Sequence, residues 1–211
     1  MSYIKDGAEI YRQSFRTIRA EADLTRFDPI LERVVVRMIH SCGMVDLADD
    51  IEASPGFGAA GERALAEGGA ILCDTNMVAS GVTRSRLPAS NDVICTLGYE
   101  GVATMASALG TTRTAAAVEL WRDWMPGALL VIGNAPTALF HLLDMLQAEP
   151  AAARPAAVIG VPVGFIGAAE SKAELAERAP ALGLEYIVVR GRRGGSAIAC
   201  GAVNALASTA E

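Results

Sequence analysis

The chain has 211 residues, 52% of them hydrophobic and 20% charged, with a formal charge of −6. A chain this long buries about 70% of its unfolded surface and needs no disulfide or metal to staple it. The composition excludes a disordered protein, and the acidic balance excludes a general nucleic-acid binder.

Two helices come first. Asp6 followed by Glu9 has the spacing of a capping box, and Ile10, Phe15 and Ile18 supply an apolar stripe. Arg12, Arg16 and Arg19 lie along one flank, where charged helix faces usually meet water. The second helix is the best punctuated in the chain. Asp28 serves as its N-cap, Pro29 opens its first turn and Gly43 stops it. Val34, Val35, Met38, Ile39 and Cys42 form its buried stripe. His40 falls off that stripe in the last turn, where the negative helix end favours an imidazolium by up to about 2 kcal/mol. Arg37 and Arg33, one and two turns back, oppose that effect.

After a helix near Gly58–Glu67, apolar strands alternate with helices. Strands are predicted near Ala70–Cys73, Asp92–Leu97, Ala128–Ile132, Ala156–Gly160 and Leu184–Arg190. Helices fall near Tyr99–Leu109, Thr112–Trp124, Pro136–Gln147, Ala168–Arg178 and Ser196–Ala207. This order implies an α/β fold: three αβα layers around a mostly parallel sheet of about five strands, preceded by the two N-terminal helices. No linker or repeat interrupts it, so residues 1–211 read as one domain.

In such a sheet, ligands bind beyond the carboxyl ends of the strands. Those ends carry Asp74-Thr75-Asn76, Thr96, Gly133–Thr137, Val161–Gly164 and Arg190–Ser196. Between the first and second strands, Thr83, Arg84, Ser85 and Arg86 place two guanidinium groups and two hydroxyls within four residues. The sequence holds sixteen arginines against two lysines, Lys5 and Lys172. Forked donors, hydroxyls and glycine-exposed amides together describe a wide rim for carboxylates or phosphates.

The specific catalytic motifs are missing. The chain has no Walker loop, no GxGxxG after the first predicted strand and no HExxH, and GxSxG does not occur. GRRGGS at Gly191–Ser196 resembles a phosphate loop only loosely. Cys42, Cys73, Cys95 and Cys200 have neither zinc nor disulfide spacing, and they fit a reducing compartment. The N-terminal MSYIKDGAEIYRQ has no apolar signal core, and the apolar stretch Pro155–Ala169 is too short to span a bilayer. A cytoplasmic protein is expected. His40 and His141 alone carry side chains that titrate near neutrality when unperturbed. His141 lies within an apolar helix and reads as a packed or surface residue, leaving His40 as the candidate proton donor.

Seven ordered segments carry a family resemblance. They are Ile18–Leu24, Val36–Asp46, Ile71–Pro88, Thr112–Trp121, Ile132–Phe140, Gly160–Lys172 and Val189–Ala199. Together these resemble the precorrin-8X methylmutases, isomerases of cobalamin biosynthesis that move a methyl group from C-11 to C-12 of a corrinoid ring. The resemblance implies no added cofactor and no metal, and a homodimer whose site both subunits build. It implies that His40 is catalytic, and that Ser14, Thr83, Arg84, Arg86 and Arg113 line the site and hold peripheral carboxylates. The stretch Gly98–Gly101 and the tail after Leu206 match nothing in that pattern. The substrate is expected to be precorrin-8X, giving hydrogenobyrinic acid, or its cobalt-containing counterpart. Two other readings are a corrinoid carrier without turnover and a nucleotide-binding α/β protein that uses GRRGGS.

Overall fold

The computed structural model describes residues 3–209. Helix α1 spans Gly7–Glu21 and α2 spans Pro29–Cys42. Each begins on an aspartate. Asp6 accepts from the amides of Ala8 and Glu9, and Asp28 from those of Ile30 and Leu31. The capping box is half formed, because Glu9 turns away to pair with Arg12 and Gln13. Gly43 takes the left-handed conformation that ends α2. One part of the expected α1 stripe moves: Phe15 and Ile18 are buried, but Ile10 is exposed and Tyr11 faces inward instead.

A short helix α3 (Leu47–Asp50) leads into strand β1 (Ile51–Ala53), and α4 (Phe57–Ala66) into β2 (Ile71–Cys73). Next come α5 (Asn76–Gly81), a 3-10 turn at Arg84–Arg86, β3 (Val93–Ile94) and a second such turn at Thr96–Gly98. Helices α6 (Val102–Leu109) and α7 (Arg113–Glu119) precede β4 (Leu129–Ile132) and α8 (Pro136–Ala148). The chain continues through β5 (Ala157–Gly160), α9 (Ala168–Leu182), β6 (Tyr186–Val189) and α10 (Ser196–Ala207).

The six strands lie in the order β1-β6-β5-β4-β2-β3. All neighbours are parallel except β1, which pairs antiparallel to β6 with Ile51 opposite Val189. Strand β1 is the one the sequence did not locate. Three residues at an edge are too short to show a period. The expected strand Asp92–Leu97 shrinks to two residues because the chain turns at Thr96, whose hydroxyl donates to Ala117 O and accepts from the Trp121 indole.

Alternate strand residues feed opposite layers. Ile71, Cys73, Leu129, Val131, Ile159 and Ile187 join the core under α1, α2, α4, α5 and α10. Leu72, Leu130, Ile132, Val158 and Val188 join the core under α7, α8 and α9. Burial on both faces is why the strands read as unbroken apolar runs. Helices α2 and α10 are packed closely because α10 presents Gly201. A methyl group there would sit 2.5 Å from Ser41 Oγ and 2.9 Å from Arg37 O. This contact brings the end of α2, and His40 with it, to the carboxyl rim of the sheet.

Candidate active site

His40 sits half-buried between two aromatic rings of α1. Its ring centre lies 5.1 Å from that of Tyr11 and 5.3 Å from that of Phe15. Its Nδ1 is 2.8 Å from Ser14 Oγ. A hydroxyl can donate or accept, so Ser14 holds Nδ1 in either protonation state and leaves Nε2 for a ligand. Tyr11, Ser14 and Ile18 are spaced i, i+3 and i+7, so one face of α1 supplies the whole setting.

Guanidinium groups stand around this setting. Arg37 lies 5.2 Å from the Phe15 ring centre and Arg86 lies 5.6 Å from that of Tyr11. Desolvation lowers the His40 pKa below its ordinary value, and the Arg37 charge lowers it further. The helix end does not win, contrary to the expectation from position alone. With its proton affinity depressed, His40 takes up a proton less readily in the free protein, and an anionic ligand beside it would restore that affinity. In an NMR titration the His40 signal should therefore move with a midpoint below 6.5, and the midpoint should rise when a polycarboxylate ligand is bound. A midpoint above 6.5 in the free protein would contradict this electrostatic picture. Only two histidines contribute, so the signals are separable.

The remaining site residues are set by α10 and the loops. Asn204 clamps the segment before the 3-10 turn: its Oδ1 accepts from the Thr83 amide at 2.8 Å and its Nδ2 donates to Gly81 O at 3.0 Å. Thr83 is thus held through its backbone amide, and Arg86 is carried toward Tyr11. Arg84 turns the other way, into an open groove of about 610 Å³ that includes Asn76, Ser80, Ile94 and Tyr99. Arg113 is exposed in the first turn of α7. Beside it, Thr112 Oγ1 lies 2.8 Å from Thr137 Oγ1 and 3.0 Å from Thr114 Oγ1. The structure thus gathers Ser14, His40 and Arg86 around Tyr11. Arg84 lines a neighbouring groove, and Arg113 stands on a helix of the opposite layer.

Sequence reasoning did not single out Tyr11, named Arg37 only as a charge opposing the helix end, and did not single out Asn204. The helical spacing of Tyr11 and Ser14 was the available signal for the first, and no local signal marks the third. The expected rim of free amides is also only partly free. Asp74, 2% exposed, accepts from the amides of Gly133, Asn134 and Ala135 at 3.1, 2.8 and 2.8 Å. Burial pushes its carboxyl up while these three donors pull it down, and burial prevails. His141 lies elsewhere, with Nε2 2.6 Å from Glu119 Oε1. The flank of α1 is bound to its surroundings: Arg12 pairs with Glu9 and Arg19 with Glu32.

One imidazole secured by one hydroxyl, on an arginine-bearing rim of an α/β sheet, is an arrangement able to exchange a proton or a hydrogen bond with an anionic group. Comparison with known proteins makes this specific. The family model described as precorrin-8X methylmutase matches residues 9–209, spanning Gly98–Gly101 and all of the tail that the structure describes. A precorrin-8X methylmutase of Pseudomonas aeruginosa is 60% identical over the full length of both chains. One from Sinorhizobium is 51% identical, covering 97% of this chain and 96% of its own. The crystal structure of a Thermus thermophilus precorrin-8X methylmutase superposes with a TM-score of 0.82 at 36% identity, covering 94% of this chain and 95% of that one. The chain belongs to the precorrin-8X methylmutase family, methyl-shifting isomerases of cobalamin biosynthesis.

Proposed function

We propose that this protein, as a single catalytic domain, moves the methyl group of precorrin-8X from C-11 to C-12 to give hydrogenobyrinic acid, and that His40 assists the shift. The observation that carries this reading is the Ser14–His40 pair at the rim, with Nε2 left for a ligand and guanidinium groups nearby. The reaction breaks one carbon–methyl bond and makes another within the same ring, while the conjugated double bonds redistribute. No nucleophile or hydride is needed. A ring polarised by one well-placed acid suffices, and one such acid contributes typically 10²–10⁴-fold. The ring carries acetate and propionate groups, for which Arg84, Arg86, Arg113, Ser14 and Thr83 are the proposed contacts.

A homodimer with a shared site fits the placement of these groups. His40 and Arg113 belong to helices on opposite layers of one chain, so a second copy can bring the missing arginine to each histidine. Light scattering at micromolar concentration should give about twice the 21.9 kDa chain mass; a particle of single-chain mass would refute the dimer. Among the described residues no helix is long and apolar enough to cross a membrane; a cytoplasmic location is part of the proposal.

Arg113→Ala tests the carboxylate contacts. Loss of one charge-assisted hydrogen bond should weaken corrinoid binding about tenfold to a hundredfold. Unchanged affinity would assign Arg113 to the fold alone. The function itself is tested by mixing purified protein with precorrin-8X and following the visible spectrum. Conversion to the orange-red corrin spectrum establishes the isomerase. Pigment that binds without converting would point to a carrier or to a cobalt-containing substrate.

A further inference from the structure

The two most exposed large apolar side chains among the described residues are neighbours, Phe165 at 82% and Ile166 at 89% exposed. They form the tip of the loop between β5 and α9. Gly164 and Gly167, with φ of +152° and +75°, bracket them in conformations open to glycine. The backbone thus turns both side chains out of the core at a definite place. Such exposure costs free energy unless a ligand or partner covers it.

A second loop locks against the first. Gly164 N donates to Arg192 O at 3.2 Å, and the Arg192 guanidinium lies 5.2 Å from the Phe165 ring centre. Arg192 makes no ion pair with any described carboxylate. Its neighbour Arg193 is spoken for, paired with Asp46 at 2.7 Å and Asp50 at 3.4 Å. Lys172, 1% exposed, donates from Nζ to Arg193 O at 2.5 Å and anchors the second loop from below. Between the loops lies a slot of about 270 Å³ whose walls are Met44, Val163, Phe165 and Arg192. Met44 follows His40 by four residues, so the slot opens at the same end of α2 as the imidazole.

We propose that these two loops form a clamp for the macrocycle, with Phe165 and Ile166 against its apolar face and Arg192 on a peripheral carboxylate. This inference deepens the function proposed above and rests on it. The chemistry suits a flat conjugated ring with a carboxylate fringe: apolar surface for the face, one unpaired guanidinium held on an aromatic platform for the edge. A second copy of the chain is the other occupant to weigh. A stable interface uses about 20–30 residues a side, whereas this patch is a few side chains around one cation, the scale of a ligand subsite.

The experiment titrates hydrogenobyrinic acid into wild type, the double variant F165A/I166A, and R192Q. The visible spectrum reads affinity, and light scattering reads molar mass. All three side chains are exposed or form the slot rim, so the variants should fold. The double variant should lose about tenfold to a hundredfold in affinity, R192Q about tenfold, and both should keep the wild-type mass. Wild-type affinity in both variants would overturn the clamp. A changed molar mass would also overturn it and assign the loops to subunit packing. If wild type itself does not bind the corrinoid, the proposed function fails and the clamp fails with it.

Discussion

His40→Ala should slow methyl migration about 10²–10⁴-fold while the protein stays folded and still binds corrinoid. The size follows from removing the only imidazole at the rim. The selectivity follows from the geometry. His40 is half-buried, its one side-chain hydrogen bond goes to Ser14, and the rings of Tyr11 and Phe15 stay packed on α2 without it. The measurement is single-turnover conversion of precorrin-8X by visible absorbance, with thermal unfolding as the control. Turnover within a factor of about three of wild type, well short of what one general acid supplies, would remove His40 from the chemistry. Ser14→Ala refines the test. The hydroxyl fixes which imidazole nitrogen faces the ligand, so its loss should lower kcat more than it alters KM, and Ser14→Thr should restore part of the rate.

The second large effect is on stability. Asp74→Ala should destabilise the fold by about 3 kcal/mol or more, because three backbone amides lose a charged acceptor at once. For a chain of this size that is a fall in Tm of roughly 6–12 °C. Asp74→Asn keeps one carbonyl acceptor and should fall between the two. The check is urea unfolding of all three proteins. A change under about 1 kcal/mol in the alanine variant would mean that water replaces the carboxylate without loss.

Much of the architecture was legible because its causes are local. Asp28, Pro29 and Gly43 mark α2 through capping chemistry that operates within four residues. The runs at Leu129–Ile132 and Tyr186–Val189 are wholly apolar because both faces of the sheet are covered. What escaped is tertiary. Strand β1 exists because β6 offers it an edge, and nothing in Ile51-Glu52-Ala53 requires extension. The Ser14–His40 bond joins positions 26 residues apart, and Asn204 meets Thr83 across 121. Ser14 was singled out through a family pattern as a substrate contact; the structure adds that it holds the imidazole. For His40, the local rule about helix ends pointed upward, and burial together with Arg37 decided the opposite.

Asp74 has a bearing on which anions this sheet can accept. The amides that follow β4, at the mouth of the sheet, are where many α/β proteins receive a phosphate. Here they are already occupied by a carboxylate that never leaves, because it belongs to the chain. Nucleotides and sugar phosphates therefore find that seat taken, whatever their concentration. On the function proposed above, anion recognition would fall to long arginine side chains, which reach outward to a ligand's scattered edge.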